Sequence, residues 1–259
     1  MKLPPNQLKA ALAHRTTSLG LWSALGSAYS TEIIACSGYN WITLDMEHSP
    51  NDMMTVLAQM QMLAAYQVEP VVRLVRFDKD LIKQYLDLGA RTIVLPNIET
   101  AEEARAIVAA TRYPASGIRG VAGMQRANRW GRVPNYHQTF ADELCIMAQI
   151  ESVAGVANAK SIAQVDGIDG LFVGPNDLAA SLGHLMKTGA TAVQEAIAEV
   201  QAKVFETRKG LGILASNHTD ALRYIKLGYS MVGLGADQSL LAKASDELLS
   251  SFRKLLAEN

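Results

Sequence analysis

Two acidic residues stand where a chain of this kind displays chemistry. The run Cys145–Ile146–Met147–Ala148–Gln149–Ile150 stops in Glu151, and Leu171–Phe172–Val173 passes through Gly174–Pro175–Asn176 into Asp177. A short buried strand that ends in a carboxylate is how a parallel α/β barrel presents a catalytic or metal-binding group at its rim. Two such carboxylates on neighbouring strands would face one crevice. Both are hard oxygen donors with no Cys or paired His nearby, a set that suits Mg²⁺, Mn²⁺ or a comparable divalent ion better than a structural zinc. The same residues could instead cap the helices that follow, where Asp and Glu are favoured. Spacing alone leaves both readings open.

His48 lies in the acidic, proline-ended turn Asp45–Met46–Glu47–His48–Ser49–Pro50, just after an apolar run. A histidine there could be a general base, a metal ligand or a helix-start residue, and its position at a strand end favours a chemical role. Arg73 interrupts Val71, Val72, Leu74 and Val75. A guanidinium in such a strand must be paired or expensively desolvated. It is matched by a rim acid or reserved for the carboxylate or developing oxyanion of a substrate. Other residues expected at strand ends are Trp22, Ser23, Asp45, Glu47, Arg76, Asn97, Gln149, Asn176, Ser216, Asn217 and Asp237. Lys79, Lys83, Lys160, Lys203, Lys209 and Lys226 fall in helices or in loops before strands. None ends a strand, which sets aside Schiff-base chemistry.

Positioning these groups requires a regular alternation. Strands are expected at 18–23, 40–44, 70–75, 91–96, 145–150, 171–173, 211–215 and 230–235. Helical spacing follows at 31–37, 53–65, 81–88, 101–111, 153–164, 190–208, 220–227 and 240–256, with a further amphipathic helix at 2–14. Gly38, Gly89 and Gly228 are placed to end helices. Eight strand–helix units predict a closed (β/α)8 TIM barrel forming one domain over 1–259. An open doubly wound sheet uses the same alternation, but no glycine-rich dinucleotide turn follows the first strand. Residues 113–142 break the rhythm, and loops of that length are usually functional or mobile.

The chain has 259 residues, 49% hydrophobic and 19% charged, with net charge −1. That suits one sizeable core and no nucleic-acid partner, which would need concentrated positive charge. Arg119, Arg126, Arg129 and Arg132 do cluster, but in a polar insert followed by Asp142 and Glu143. Cys36 and Cys145 both lie in apolar segments, so no disulfide framework is expected. The first fifteen residues hold no apolar leader and no run approaches the length of a membrane span, so the expectation is a cytoplasmic protein with no membrane partner.

Together these residues resemble the class II pyruvate-dependent aldolases of the HpcH/HpaI family. The resemblance runs from Gly20–Leu21–Trp22 to Gly233–Leu234–Gly235–Ala236–Asp237. It is carried by Leu44–Asp45–Met46–Glu47–His48–Ser49–Pro50–Asn51, Pro70–Val71–Val72–Arg73, and Arg112–Tyr113–Pro114 with Gly117–Ile118–Arg119–Gly120. Gln149–Ile150–Glu151, Val173–Gly174–Pro175–Asn176–Asp177–Leu178 and Gly212–Ile213–Leu214–Ala215 complete it. It implies a divalent metal (Mg²⁺, Mn²⁺ or Co²⁺) on Glu151 and Asp177, chelated by an α-keto acid. Arg73 would stabilise the enolate oxygen. Trp22, Gln149, Asn176, Asp177 and Leu214 would line the substrate. His48 would take the C4 hydroxyl proton, and Asp87, by residue reading only a helix end, would pair with His48.

The reaction implied is cleavage of a 4-hydroxy-2-oxo acid such as 4-hydroxy-2-oxoheptanedioate to pyruvate and an aldehyde such as succinic semialdehyde. A sugar-derived acid (2-keto-3-deoxy-glucarate or -rhamnonate) is an alternative. A lyase acting on an acyl-CoA lacks a basic groove here, and a non-catalytic keto-acid binder would not need His48 and Asp87. The resemblance also implies a homo-oligomer, a hexamer in which the last helix packs on a neighbour; Leu240, Leu241, Leu248, Leu249, Phe252, Leu255 and Leu256 would equally suit packing on its own barrel. Met46 stands where many relatives have Gly. Arg76 stands where they often carry an aromatic residue, and with Arg126 or Arg129 it is expected to contact a polar or anionic aldehyde tail, or else to be a solvated rim arginine.

Overall fold

Each strand pairs in parallel with the next in sequence, and the last closes onto the first. The computed structural model describes residues 3–215 and 217–258, which places the expected rim residue Ser216 and the start of the expected 2–14 helix outside the described residues. Among the described residues the strands are β1 (Ser18–Ser23), β2 (Trp41–Asp45), β3 (Glu69–Arg73), β4 (Thr92–Leu95), β5 (Cys145–Ile150), β6 (Gly170–Val173), β7 (Gly210–Leu214) and β8 (Met231–Ala236). They form one closed barrel, sealed where Ser18 and Leu19 pair with Met231 and Val232. Their near-continuous apolar runs follow from burial on both faces.

The helices are α1 (Gln7–His14), α2 (Ala28–Ala35), α3 (Met53–Leu63), α4 (Lys79–Leu88), α5 (Ala101–Thr111), α6 (Tyr136–Thr139), α7 (Val153–Ala163), α8 (Pro175–Ser181), α9 (Thr191–Phe205), α10 (His218–Lys226) and α11 (Asp237–Ala257). Capping moves several starts away from those expected. α1 begins only after Pro4 and Pro5, where the Asn6 side chain accepts from the N–H of Lys9 at 3.0 Å. α2 begins three residues early because Ser27 serves as its cap. α8 is unforeseen; Pro175 opens it at a position that needs no N–H.

Inside the barrel Trp22, Trp41, Val71, Val94, Met147, Phe172 and Met231 fill the bore. Leu8 and Leu12 of α1 plug its foot. The fit is close: a Cβ on Gly210 would lie 2.4 Å from Leu12 Cδ2, and one on Gly20 would lie 2.1 Å from the Trp41 ring. A second apolar layer joins the outer strand faces to the helices.

The strand-to-helix connections form the rim and the helix-to-strand connections form the foot. The long insert joins α5 to β5, so it lies at the foot and not at the rim. It is packed rather than loose. Arg119 is buried there, its guanidinium 4.6 Å from the Tyr113 ring and 5.0 Å from that of Phe140. A cavity of about 740 Å³ at this end is lined by Glu69 and Pro70 from the start of β3 together with Arg126 and Arg129.

α11 contacts β1 and β8. Along its length the apolar residues stay exposed, Leu241 at 62% and Leu256 at 77%. The apolar face therefore does not pack on its own barrel.

Candidate active site

The rim is built around Arg73. β3 ends at this residue, so Arg73 does not interrupt the strand as expected but completes it, with Leu74 and Val75 already beyond. In the β2–β3 register Asp45 lies opposite Arg73, each the last residue of its strand. The pairing yields a two-pronged clamp: Arg73 Nε donates to Asp45 Oδ1 at 2.8 Å and Nη2 to Oδ2 at 2.7 Å. The third nitrogen, Nη1, lies 3.0 Å from Glu47 Oε2. Burial by itself would lower the Arg73 pKa, but the bonds and charge of Asp45, followed by the charges of Glu47 and Glu151, hold it above its ordinary value. The guanidinium is thus fixed and charged.

Glu151 follows β5 and is buried. Its Oε1 accepts from the N–H of Asn97 at 2.7 Å, and its Oε2 accepts from Gln149 Nε2. Burial raises its pKa to about 7; the Gln149 bond opposes that rise, and the charges of Glu47 and Asp177 add to it. Burial likewise raises Glu47, against the pull of Arg73. Asp177 does not end a strand as expected. It lies in the first turn of α8, exposed, with its charge felt by both Glu47 and Glu151.

Three acids therefore converge, yet among the described residues no three His, Cys, Asp or Glu side chains are arranged to hold an ion by themselves. Glu151 and Asp177 offer two hard oxygens and leave the remaining positions to small oxygen ligands, as an open divalent site does. Two further features fit an ion there. Gln149 Oε1 is buried without a hydrogen-bond partner. A Cβ on Gly174 would lie 2.4 Å from Glu151 Oε2, so only glycine leaves that oxygen's near side open.

Trp22 closes the floor of the crevice, its ring 5.5 Å from Trp41 and 5.3 Å from Phe172. Arg73 Cζ lies 5.9 Å from the Trp22 ring, and the indole Nε1 is buried with no acceptor. Leu214 ends β7 half-buried, and Asn176 is exposed at the start of α8. His48 is exposed on the turn after β2, and its ring makes no hydrogen bond among the described residues. Met46 reaches inward, accepting from the Tyr85 hydroxyl at its Sδ at 3.2 Å. A side chain in place of glycine thus pins this turn to α4.

Two expectations are not met within the single chain. Asp87 does not meet His48 within the chain. It lies in the last turn of α4, which descends about 15 Å from the rim over ten residues. There its Oδ1 accepts from Arg119 Nη2 at 2.6 Å. Arg126 and Arg129 are likewise at the foot; Arg126 Nη1 donates to the carbonyl of Leu88 at 2.6 Å. Neither meets Arg76 within the chain; Arg76 is exposed and lies 3.4 Å from Asp78. Asp45 and Glu47 are the site residues given no role from sequence. An acid ending the strand beside the one that carries Arg73 was the available signal.

The sequence model of the family described as HpcH/HpaI aldolase/citrate lyase matches residues 18–244. A hydroxypyruvate/pyruvate aldolase of Paraburkholderia phytofirmans is 49% identical over 255 residues, covering 98% of this chain and 96% of that protein. A 4-hydroxy-2-oxo-heptane-1,7-dioate aldolase of Escherichia coli is 43% identical over 248 residues, covering 95% of each. Among solved structures, an HpcH/HpaI aldolase/citrate lyase family protein from Burkholderia cenocepacia superposes with a TM-score of 0.92 at 40% identity, covering 96% of this chain and 99% of that one.

Proposed function

The chain belongs to the HpcH/HpaI aldolase/citrate lyase family, and from that premise we propose that it is an aldehyde-lyase that reversibly cleaves a 4-hydroxy-2-oxo acid to pyruvate, or its hydroxy form, and an aldehyde. The observation that carries the reading is the Arg73 guanidinium, locked by Asp45 opposite the Glu151–Gln149 pair. A fixed cation in a sheltered crevice stabilises an enolate oxygen without reorganising as the charge develops.

Glu151 and Asp177 would hold the divalent ion (Mg²⁺, Mn²⁺ or Co²⁺), which when bound supplies Lewis-acid stabilisation of the enolate. The chain's own groups do the rest. Gln149, Asn176 and the unpaired Trp22 Nε1 orient the keto acid, and Leu214 provides an apolar wall. His48 accepts the proton of the C4 hydroxyl as the C3–C4 bond breaks. The C4 oxygen becomes the aldehyde carbonyl, and the bonding pair passes into the enolate beside Arg73. Protonation at C3 completes the keto acid. In the reverse direction His48 returns its proton to the new hydroxyl.

Asp87 holds Arg119 within the chain, and its pairing with His48 is carried by the resemblance. The exposed apolar face of α11 supports a homo-oligomer, a hexamer by resemblance. Among the described residues no helix is long and apolar enough to cross a membrane.

The test is pyruvate release from 4-hydroxy-2-oxoheptanedioate and from the two sugar-derived acids, with hydroxypyruvate as a second nucleophile in the condensation direction. Release from at least one acid, lost in Arg73→Ala, is expected. No release from any, with keto acid still bound, would favour a binder.

A further inference from the structure

Gln59 is the one amide sunk in the apolar face that α3 turns to the barrel, among Val56, Met60 and Leu63, and it is wholly buried. A helix packing on a barrel does not need it; Leu or Met fills such a place without a desolvation cost. Yet every hydrogen-bonding capacity of this side chain is used. Oε1 accepts from Ser23 Oγ at 3.1 Å and from Thr31 Oγ1 at 2.9 Å. Nε2 donates to Asn51 Oδ1 at 2.6 Å and to the carbonyl of Thr55 at 3.1 Å.

Asn51 passes the constraint on. Its Nδ2 donates to the carbonyl of Asp45 at 2.7 Å and to Ser49 Oγ at 2.9 Å, and Ser49 Oγ in turn donates to the same Asp45 carbonyl. The turn from Asp45 to Asn51 is closed across its neck by the amide that Gln59 grips. His48 rides at the tip of that turn, its ring making no hydrogen bond among the described residues, so its place depends on the turn. Arg73 depends instead on the Asp45 carboxylate, held by strand register.

We propose that Gln59 is a positioning residue for His48, acting through Asn51 to hold the turn at the distance proton transfer requires. The proposal rests on the aldolase reading above. It predicts a split between two half-functions of one site: loss of Gln59 should impair removal of the hydroxyl proton and spare stabilisation of the enolate.

The experiment compares Gln59→Leu with wild type on two substrates. Retro-aldol cleavage of the 4-hydroxy-2-oxo acid needs the base. Decarboxylation of oxaloacetate reaches the same pyruvate enolate by loss of CO₂, with no hydroxyl proton to remove. Cleavage kcat is expected to fall roughly 10- to 100-fold, the scale of an ångström misplacement. KM and the decarboxylation rate are expected to stay within about threefold, as for a change that spares substrate binding. Because Gln59 acts through Asn51, the double variant Gln59→Leu/Asn51→Leu should cleave no more slowly than Asn51→Leu alone.

Thr31→Val, which keeps its volume and removes one bond to Gln59, provides a milder step in the same direction if Gln59→Leu folds poorly. Unchanged cleavage in both variants, equal loss of both activities, or additive losses in the double variant would overturn the proposal. A wild type that decarboxylates oxaloacetate but cleaves no 4-hydroxy-2-oxo acid overturns the aldolase reading, and the proposal with it.

Discussion

Arg73 is set in place before any substrate arrives, and its setting is costly to disturb. Asp45 is its buried counter-charge, so Asp45→Asn leaves a guanidinium short of compensation; a loss of about 3–5 kcal/mol in denaturant unfolding is expected, as for other broken buried pairs. Gly174→Ala places a methyl against Glu151 Oε2. Calorimetry with Mn²⁺ should show affinity reduced roughly 10- to 100-fold, the usual cost of disturbing the groups that orient a metal ligand. The rim positions of His48, Arg73 and Glu151 were legible in the sequence because each stands at or just after the end of an apolar run that forms a strand. Asp45 was not given its role because that depends on lateral register, which no single segment displays. Asp87, a helix end by residue reading, does lie in the last turn of α4, and its pairing with His48 rests on the resemblance alone.

Among the elements, the strands were the most legible: β1 and β5 have the bounds their apolar runs predict. Helix starts shifted where a cap overruled periodicity, as at Ser27 and Asn6. The seven-residue α8 is too short for periodicity to reveal, and that is why Asp177 was read as a strand end. The insert after α5 illustrates a different limit, since its length suggested a functional or mobile loop whereas it is packed, and the order of connections puts it at the foot. α1 has a structural task there. Leu12→Ala opens a hole against Gly210 and should cost about 2–5 kcal/mol, with kcat per folded molecule unchanged. A matching loss of kcat would mean that the plug reaches the chemistry.

For the whole molecule, the barrel orders two ends, a rim that carries the candidate site and a packed foot, and α11 contacts β1 and β8 and leaves its apolar residues exposed. Its leucines stay uncovered, and exposed apolar patches of this kind mark interaction surfaces. Leu241→Asp combined with Leu248→Asp should move the protein to a smaller species in sedimentation; an unchanged species would place the association elsewhere.

A metal-assisted enolate stabilised by Arg73 is the central step of the proposed reaction, and pyruvate release under metal control tests it most directly. With 4-hydroxy-2-oxoheptanedioate or a sugar-derived analogue, release should stop in EDTA, return with Mn²⁺ or Mg²⁺, and fall by about a hundredfold or more in Arg73→Ala, as when an oxyanion donor is removed. Release undiminished after chelation, or equal in the Arg73 variant, would contradict it.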